Sequence, residues 1–445
     1  MATKLSLQSS IDELQRPLFP DEDVPRKRSQ DSLISELSAF NRFGTRTQTG
    51  SIGEGAAAVP VFINEFWTSK QRAASSLHEI SYRACFKPQL PRFFIERLTE
   101  PNALVYDPFL GRGTTVIEAA LLRRRVAGCD VNPLSTILTA PRLRPPSAAE
   151  VRSRLSEIDW NYDGKSATDL LAFYHPNTLR EIQALRAHFE SQTAGGSLSD
   201  VDAWIRMVAT NRLTGHSAGF FSVYTLPPNQ ALSAERQRRI NVLREQTPPK
   251  RSVPELIIRK TDSLLQSVRE RDHQALRRAA EGATLLTGSC EQTPSLQTES
   301  VDLIVTSPPF LDVVDYASDN WLRCWFNDIE PEEIEIWTFR EPEKWTAKMA
   351  KVFSELTRVL KPGGHVVFEV GEVRRGKLKM EELVIPAARD AGLRPVLVLI
   401  NSQVFTKTSN CWGVTNQTAG TNTNRVVLLQ KPVFSEKGAE IFSKV

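Results

Sequence analysis

Residues 103–130 restrict the fold more than any other stretch of the chain. Ala103 to Tyr106 is a short apolar run with strand character, and it opens directly into Asp107-Pro108-Phe109-Leu110-Gly111-Arg112-Gly113-Thr114-Thr115. Val116 to Arg123 then reads as helix, and Arg125 to Cys129 as a second strand ending at Asp130. Strand, helix and strand in that order read as a βαβ unit, the crossover that parallel strands need. The pattern therefore predicts an α/β domain. Gly111 and Gly113 allow a tight bend and a close approach of backbone to a ligand, and the helix that follows offers free N–H groups. The spacing is not a P-loop, since no Gly-Lys-Ser/Thr follows, and it is not the dinucleotide G-x-G-x-x-G. Asp130 stands 17 residues after Gly113 at the end of the next strand. There an acid reaches ribose hydroxyls in nucleoside-binding α/β sites. That reading is preferred to a plain turn cap before Asn132-Pro133.

The chain has 445 residues, room for two or three packed units. Residues 1–58 are polar and predict a mostly disordered tail, with one helix near Asp31 to Phe40. Residues 59–144 hold the unit above, preceded by an amphipathic helix over Leu90 to Leu98. Residues 145–282 change character: Pro pairs stand at 145–146, 227–228 and 248–249, and helices are predicted over 148–158, 177–190, 200–212, 233–245 and 253–280. This predicts a mostly helical insertion. The α/β pattern resumes over 283–432, with strands at 283–286, 301–305, 365–370, 394–400 and 425–429 and helices at 345–360 and 381–391. Residues 433–445 are a polar tail.

A second turn follows the apolar strand Val301 to Val305: Thr306-Ser307-Pro308-Pro309-Phe310. Two prolines stiffen it and remove two N–H donors while keeping their carbonyls as acceptors. A serine oxygen, a proline carbonyl and an aromatic face can hold a planar ring that bears an amine. Composition alone favours the plainer reading, a strand cap with Phe310 in the core.

Formal net charge is +4, which does not by itself announce nucleic acid. Residues 231–280, however, carry 12 Lys+Arg against 6 Asp+Glu, a local net of +6. Arg236, Arg238 and Arg239 share one helix there and are candidate phosphate contacts. The five Cys, at 85, 129, 290, 324 and 411, form no C-x-x-C pair and suit a reducing compartment. No metal centre and no membrane span are expected.

Together these residues resemble the S-adenosylmethionine-dependent DNA amino methyltransferases, the N4-cytosine/N6-adenine family. Asp107 to Thr115 is similar to that family's cofactor loop, and Ser307 to Phe310 to its catalytic [S/D/N]-P-P-[Y/F] tetrapeptide, in the version typical of cytosine-N4 enzymes. Phe86-Lys87-Pro88 resembles a further cofactor motif, and Lys361 to Gly364 resembles a turn common in this fold. The resemblance spans residues 60 to 432. Two departures stand out. The glycine loop comes first here, about 190 residues before the tetrapeptide, and Gly288-Ser289-Cys290 replaces the usual Gly-Asp-Ser/Ala.

The resemblance implies a class I methyltransferase fold, a Rossmann-like doubly wound sheet with the helical insertion as target-recognition region. It implies S-adenosyl-L-methionine as cofactor, held by Phe86, Lys87, Pro88, Asp107, Pro108, Phe109, Gly111, Gly113, Thr114, Thr115, Asp130, Asn132, Ser289 and Thr306. Catalysis falls to Ser307, Pro308, Pro309 and Phe310. The implied substrate is double-stranded DNA with the target cytosine flipped from the helix; the alternatives are adenine-N6 methylation, RNA amino methylation, or a binding protein that keeps the fold without catalysis. Cytosine-C5 chemistry is disfavoured, since no Cys follows a Pro. A cognate restriction endonuclease is a possible partner, and the implied location is cytoplasmic, with the nucleoid. Asp312, Asp315 and Asp319 are candidate proton acceptors, Asp315 with Tyr316 foremost. His175, His216 and the run Phe220 to Tyr224 are read as packing, and the polar stretches at 410–413 and 422–424 carry no assigned role.

Overall fold

A computed structural model describes residues 29–67, 74–82, 85–196, 198–225, 232–309, 311, 316–371, 373, 377–402 and 423–433. Among the described residues nine strands form one sheet: β1 (Gln48–Ile52), β2 (Val59–Asn64), β3 (Leu104–Asp107), β4 (Arg125–Asp130), β5 (Thr284–Thr287), β6 (Val301–Thr306), β7 (Leu360–Val370), β8 (Arg394–Ser402) and β9 (Thr423–Gln430). Their order is β1-β2-β8-β9-β7-β6-β3-β4-β5. The run β7-β6-β3-β4-β5 is parallel. Antiparallel β9 lies between β7 and β8. From neighbouring β3 and β6 the strand order runs outward in both directions. The sheet is therefore the expected Rossmann-like, doubly wound class I arrangement, with a switch point between those two strands.

The central strands are apolar on both faces because helices cover both. Val105, Val126, Leu303 and Val305 face one core, while Tyr106, Ala127, Cys129 and Ile304 face the other, with the period of two that a pleat dictates. The second core is closed by α12 (Pro342–Val359) and α13 (Met380–Asp390). The first is closed by α2 (Gln89–Leu98), α3 (Thr114–Leu121) and α4 (Leu134–Leu143). It runs on without a break into the helical region of α5 (Ala148–Glu157), α6 (Pro176–Ala194), α7 (Asp200–Thr210), α8 (Ala234–Leu243) and α9 (Val253–Leu265). There Trp204 is fully buried and its indole N–H donates to Thr261 Oγ1 at 3.1 Å. α11 (Tyr316–Asn327) follows the proline turn.

Three expectations change. The helix expected near Asp31 to Phe40 is present as α1 (Gln30–Ala39), which buries Leu33 and Leu37, but the chain after it is not the disordered tail expected: it forms the edge strand β1. β1 carries no apolar pattern and is held by pairing with β2 rather than by burial. Residues 1–28 lie outside the described residues. β2 itself carries Pro60 and was not read as a strand; it sits near the sheet margin, where a proline is tolerated. The single helix predicted over 253–280 is two, α9 and α10 (Glu270–Glu281). The chain bends where the Ser267 N–H donates to Ser76 Oγ at 3.3 Å, and the Arg269 N–H then donates to Asp272 Oδ2 at 2.9 Å to start the next helix. α10 packs on α3 and α4, so it belongs to the layer that covers the sheet. No described helix is long and apolar enough to cross a membrane.

Candidate active site

β3 delivers Asp107 to the top of the sheet, and the chain turns through Gly111 (φ +49°) and Gly113 (φ +72°) into α3. Left-handed backbone at both positions is what glycine supplies without strain. Gly113 has a second reason, since a Cβ there would sit 2.3 Å from Thr139 Oγ1 on α4. Gly128 in β4 leaves room for Leu110, whose N–H donates to the Cys129 carbonyl at 2.9 Å.

The bend is pinned from β4. Asp130 accepts the Gly111 N–H at 2.8 Å on one oxygen and the Asn132 N–H at 2.9 Å on the other. Burial raises its carboxyl above the ordinary value while those two donors oppose the shift. Arg112 reaches away from the bend and donates to the carbonyls of His78, Ile80 and Phe86, tying down the segment that carries Cys85 and Phe86. Arg142 supports the bend from below through the carbonyls of Arg112, Leu77 and Leu138. Burial pulls its guanidinium down to about 9, so it stays a cation at neutral pH.

The second bend meets the first. Thr306 Oγ1 donates to Asp107 Oδ1 at 2.7 Å, and Thr115 Oγ1 donates to the Val305 carbonyl at 3.0 Å; both threonines are completely buried. Two turns about 190 residues apart are thus fastened to each other by side-chain hydrogen bonds. The Asp107 carboxyl is pushed up to about 7 by burial, against the bonds from Thr306 and the Phe109 N–H. Beyond the bends, Ser307 Oγ donates to Glu369 Oε2 at 2.5 Å, and Glu369 Oε1 accepts from Asn424 Nδ2 at 3.1 Å. The Trp345 indole N–H, from α12, donates to the Pro309 carbonyl at 2.9 Å. Among the described residues no donor meets the Pro308 carbonyl.

Between the bends lies a cleft open to solvent; its space, the solvent-facing part included, is about 810 Å³. Of the expected cofactor residues, Phe86, Asp107, Pro108, Phe109, Gly111, Thr114, Asp130 and Asn132 line it, together with Ser307 and Pro309. Others do not reach the wall. Gly113, Thr115 and Thr306 act beneath it as hinge and fasteners. Pro88 caps α2, and the Lys87 carbonyl accepts the Leu90 N–H at 3.1 Å. Ser289 turns to Glu291, donating to its carboxylate at 3.1 Å, so its neighbours Gly288 and Cys290 form the wall instead. A Cβ built on Gly288 meets nothing within 4 Å, so bare backbone faces open space there. Phe310, Asp312 and Asp315 lie outside the described residues, as do the side chain of Tyr316 and residues 410–413 and 422.

Tyr82, Cys85, Ile336 and Trp337 also line the cavity, and Trp345, Glu369 and Asn424 stand behind it, none of them marked for a role by a sequence motif. Trp337 lies edge-on to Phe109, with ring centres 5.9 Å apart. Glu369 had a readable signal, an acid near the end of an apolar strand, much as Asp107 and Asp130 end theirs. Arg236, Arg238 and Arg239 are exposed on α8; Arg238 pairs with Asp169 at 2.6 Å and Arg239 with Glu235 at 2.5 Å. Phe220, Phe221 and Val223 are buried, as a packing role requires, and His175 caps α6 by accepting the Asn177 N–H. Among the described residues no group of three or more His, Cys, Asp and Glu is placed to hold a metal.

The donor set suits a cationic nucleoside. Two carboxylates, one on each side of the glycine bend, face a mostly apolar cleft at the ends of parallel strands, the place where open α/β sheets bind ligands. S-adenosylmethionine carries ribose hydroxyls, an ammonium and a sulfonium that complement those acids.

Comparison with known proteins points the same way. Residues 46–135 match the model of the DNA methylase family. The type II methyltransferase M.MvaI of Kocuria varians is 29% identical over 97 residues, covering 21% of this chain and 20% of its own. The type II methyltransferase M.MjaII of Methanocaldococcus jannaschii is 27% identical over 91 residues, 20% of this chain and 17% of its own. The chain therefore spans about a fifth of the length of the curated relatives it matches. Among solved structures, a TehB-like SAM-dependent methyltransferase from Corynebacterium glutamicum superposes with a TM-score of 0.27 at 10% identity, over 77% of this chain and 86% of its own. The fold assignment rests on the strand order itself.

Proposed function

We propose, starting from the match of residues 46–135 to the DNA methylase family model, that this chain methylates the exocyclic N4 amine of a cytosine flipped out of duplex DNA. One observation carries the reading. The Thr306–Asp107 and Thr115–Val305 bonds fasten the glycine bend to the proline bend, so one cavity has Asp130 and Gly111 on one wall and Ser307 and Pro309 on another. Bound S-adenosylmethionine would supply a methyl group on a positively charged sulfur, which is a good leaving group. The chain's own residues do the rest. Asp130 takes the ribose hydroxyls on its remaining lone pairs, and Asp107 faces the cationic end.

An aryl amine is a poor nucleophile, because its lone pair is shared with the ring. Ser307 Oγ and the Pro308 carbonyl accept its two hydrogens and draw the nitrogen towards tetrahedral geometry, which returns the lone pair to it. Orientation and a dry polar site account for much of the gain. A paired base cannot enter such a cleft, so the base is extruded first. The serine in the tetrapeptide favours cytosine. The basic stretch over 231–280, which spans α8, α9 and α10, is the proposed face towards DNA.

The test is transfer of label from methyl-labelled S-adenosylmethionine to unmethylated duplex DNA, followed by nucleoside analysis. N4-methylcytosine is the expected product. N6-methyladenine alone would move the assignment to the adenine enzymes, and label in RNA alone would remove DNA as substrate.

A further inference from the structure

We infer that Glu369 is a positioning residue that acts through Ser307: it fixes the direction of the Ser307 hydroxyl and takes up the proton released when the amine is methylated. This deepens the amine-methyltransferase reading and rests on it. Glu369 is the penultimate residue of β7, at 4% exposure and one residue beyond Phe368, which pairs with Thr306 of β6. A hydroxyl has one hydrogen and two lone pairs. Ser307 spends its hydrogen on Glu369 Oε2, at 2.5 Å, so it can only accept from whatever sits in the cavity. A Ser307 held this way selects a substrate atom that carries hydrogen, such as an amine, and rejects a ring nitrogen or carbonyl oxygen at the same place.

Asn424, from β9, completes the arrangement by donating to Glu369 Oε1 at 3.1 Å. Both carboxylate oxygens thus receive a donor, a surround built for the ionised form. The described charges nearby are otherwise engaged. Arg425, next to Asn424 on β9, pairs with Glu381 of α13, and Asp107 of β3 holds Thr306. Burial dominates over the two donors and raises the Glu369 carboxyl above its ordinary value, which makes it a better proton acceptor than a surface glutamate.

The step balances. As the amine nitrogen bonds the methyl carbon, the carbon–sulfur bond breaks and its electron pair stays on sulfur. The nitrogen then holds one proton too many. That proton passes to Ser307 Oγ while the Ser307 hydrogen passes to Glu369, and Glu369 later releases it to solvent. Nothing is oxidised or reduced.

The test uses the full chain, labelled S-adenosylmethionine and unmethylated phage DNA. Glu369→Gln should lower kcat about 100-fold while leaving cofactor and DNA affinity within about twofold, and Glu369→Asp should restore part of the rate. In the wild type, kcat should fall as pH drops through the Glu369 pKa; Glu369→Gln should lose that acid limb. Infrared difference spectra of wild type minus Glu369→Gln, with no ligand bound, should show one carboxyl titrating above the ordinary glutamate range. Asn424→Leu keeps the acid but removes a donor to its ionised form, so the acid limb should move to higher pH. The inference is overturned by wild-type kcat in Glu369→Gln, or by an acid limb unmoved in Glu369→Gln or Asn424→Leu. A wild-type chain that labels no nucleic acid overturns the methyltransferase reading and this inference together.

Discussion

The two bends of the site are built by opposite means. The glycine bend is held from nearby in the sequence: Asp130, 19 residues on, grips the Gly111 N–H, and Cys129 takes the Leu110 N–H. The proline bend is held from afar: Trp345 lies 36 residues after Pro309, Glu369 lies 62 after Ser307, and Asp107 lies 199 before Thr306. A locally closed turn keeps its shape wherever its βαβ unit folds. A turn clamped by α12, β7 and β3 takes its final shape only when those elements are packed. The first is therefore suited to binding a constant cofactor. The second can couple the reacting group to the surrounding core.

Exchanging the roles of the two bends is the strongest challenge to that contrast. Ser307→Ala should cut turnover about 1,000-fold with cofactor affinity within about twofold. Asp130→Ala should weaken cofactor binding by roughly 10–100-fold, as read by calorimetry. Reversed outcomes would dissolve the division of labour.

A thermal measurement sharpens the contrast at the junction of the bends. The Asp107 carboxyl, about 7 in the folded chain against an ordinary 3.8, contributes stability that is full below about pH 4 and lost as pH rises through 7. Melting of the empty protein should therefore show Asp107→Asn gaining on the wild type between pH 5 and pH 8, by on the order of 2 kcal/mol. The same substitution should weaken cofactor binding at pH 8. A constant gap across that range would mean that the acid is ionised throughout.

The smallest effect is expected at the rear of the proline bend. Trp345→Phe keeps the ring and removes the N–H that the Pro309 carbonyl accepts. It should cost about 1 kcal/mol of stability and lower kcat a few-fold without changing cofactor affinity. Loss of cofactor binding instead would show that the two bends are not separable.

What could be read in advance follows the same division. The unit from Ala103 to Asp130 was legible because apolar runs, glycines and a strand-end acid all fall within one helical crossover. The strands from Val301 to Leu429 were legible from apolar runs alone. The sheet margin was not, since β1 has no buried residue and β2 carries Pro60. The break between α9 and α10 was invisible because its partner, Ser76, is 191 residues away. Ser289 was placed by analogy of position, yet its hydroxyl is taken by Glu291 two residues on.

The sequence by itself determined the α/β class, both bends and the acids that end β3 and β4, since propensity, periodicity and turn chemistry act over a few residues. Only the tertiary structure decided that the bends share one cavity and that Thr306 bonds Asp107. It alone placed Ser307 against Glu369 and Trp345 against Pro309. Those choices depend on strand order and register, which align residues tens to hundreds apart only once the whole sheet is packed.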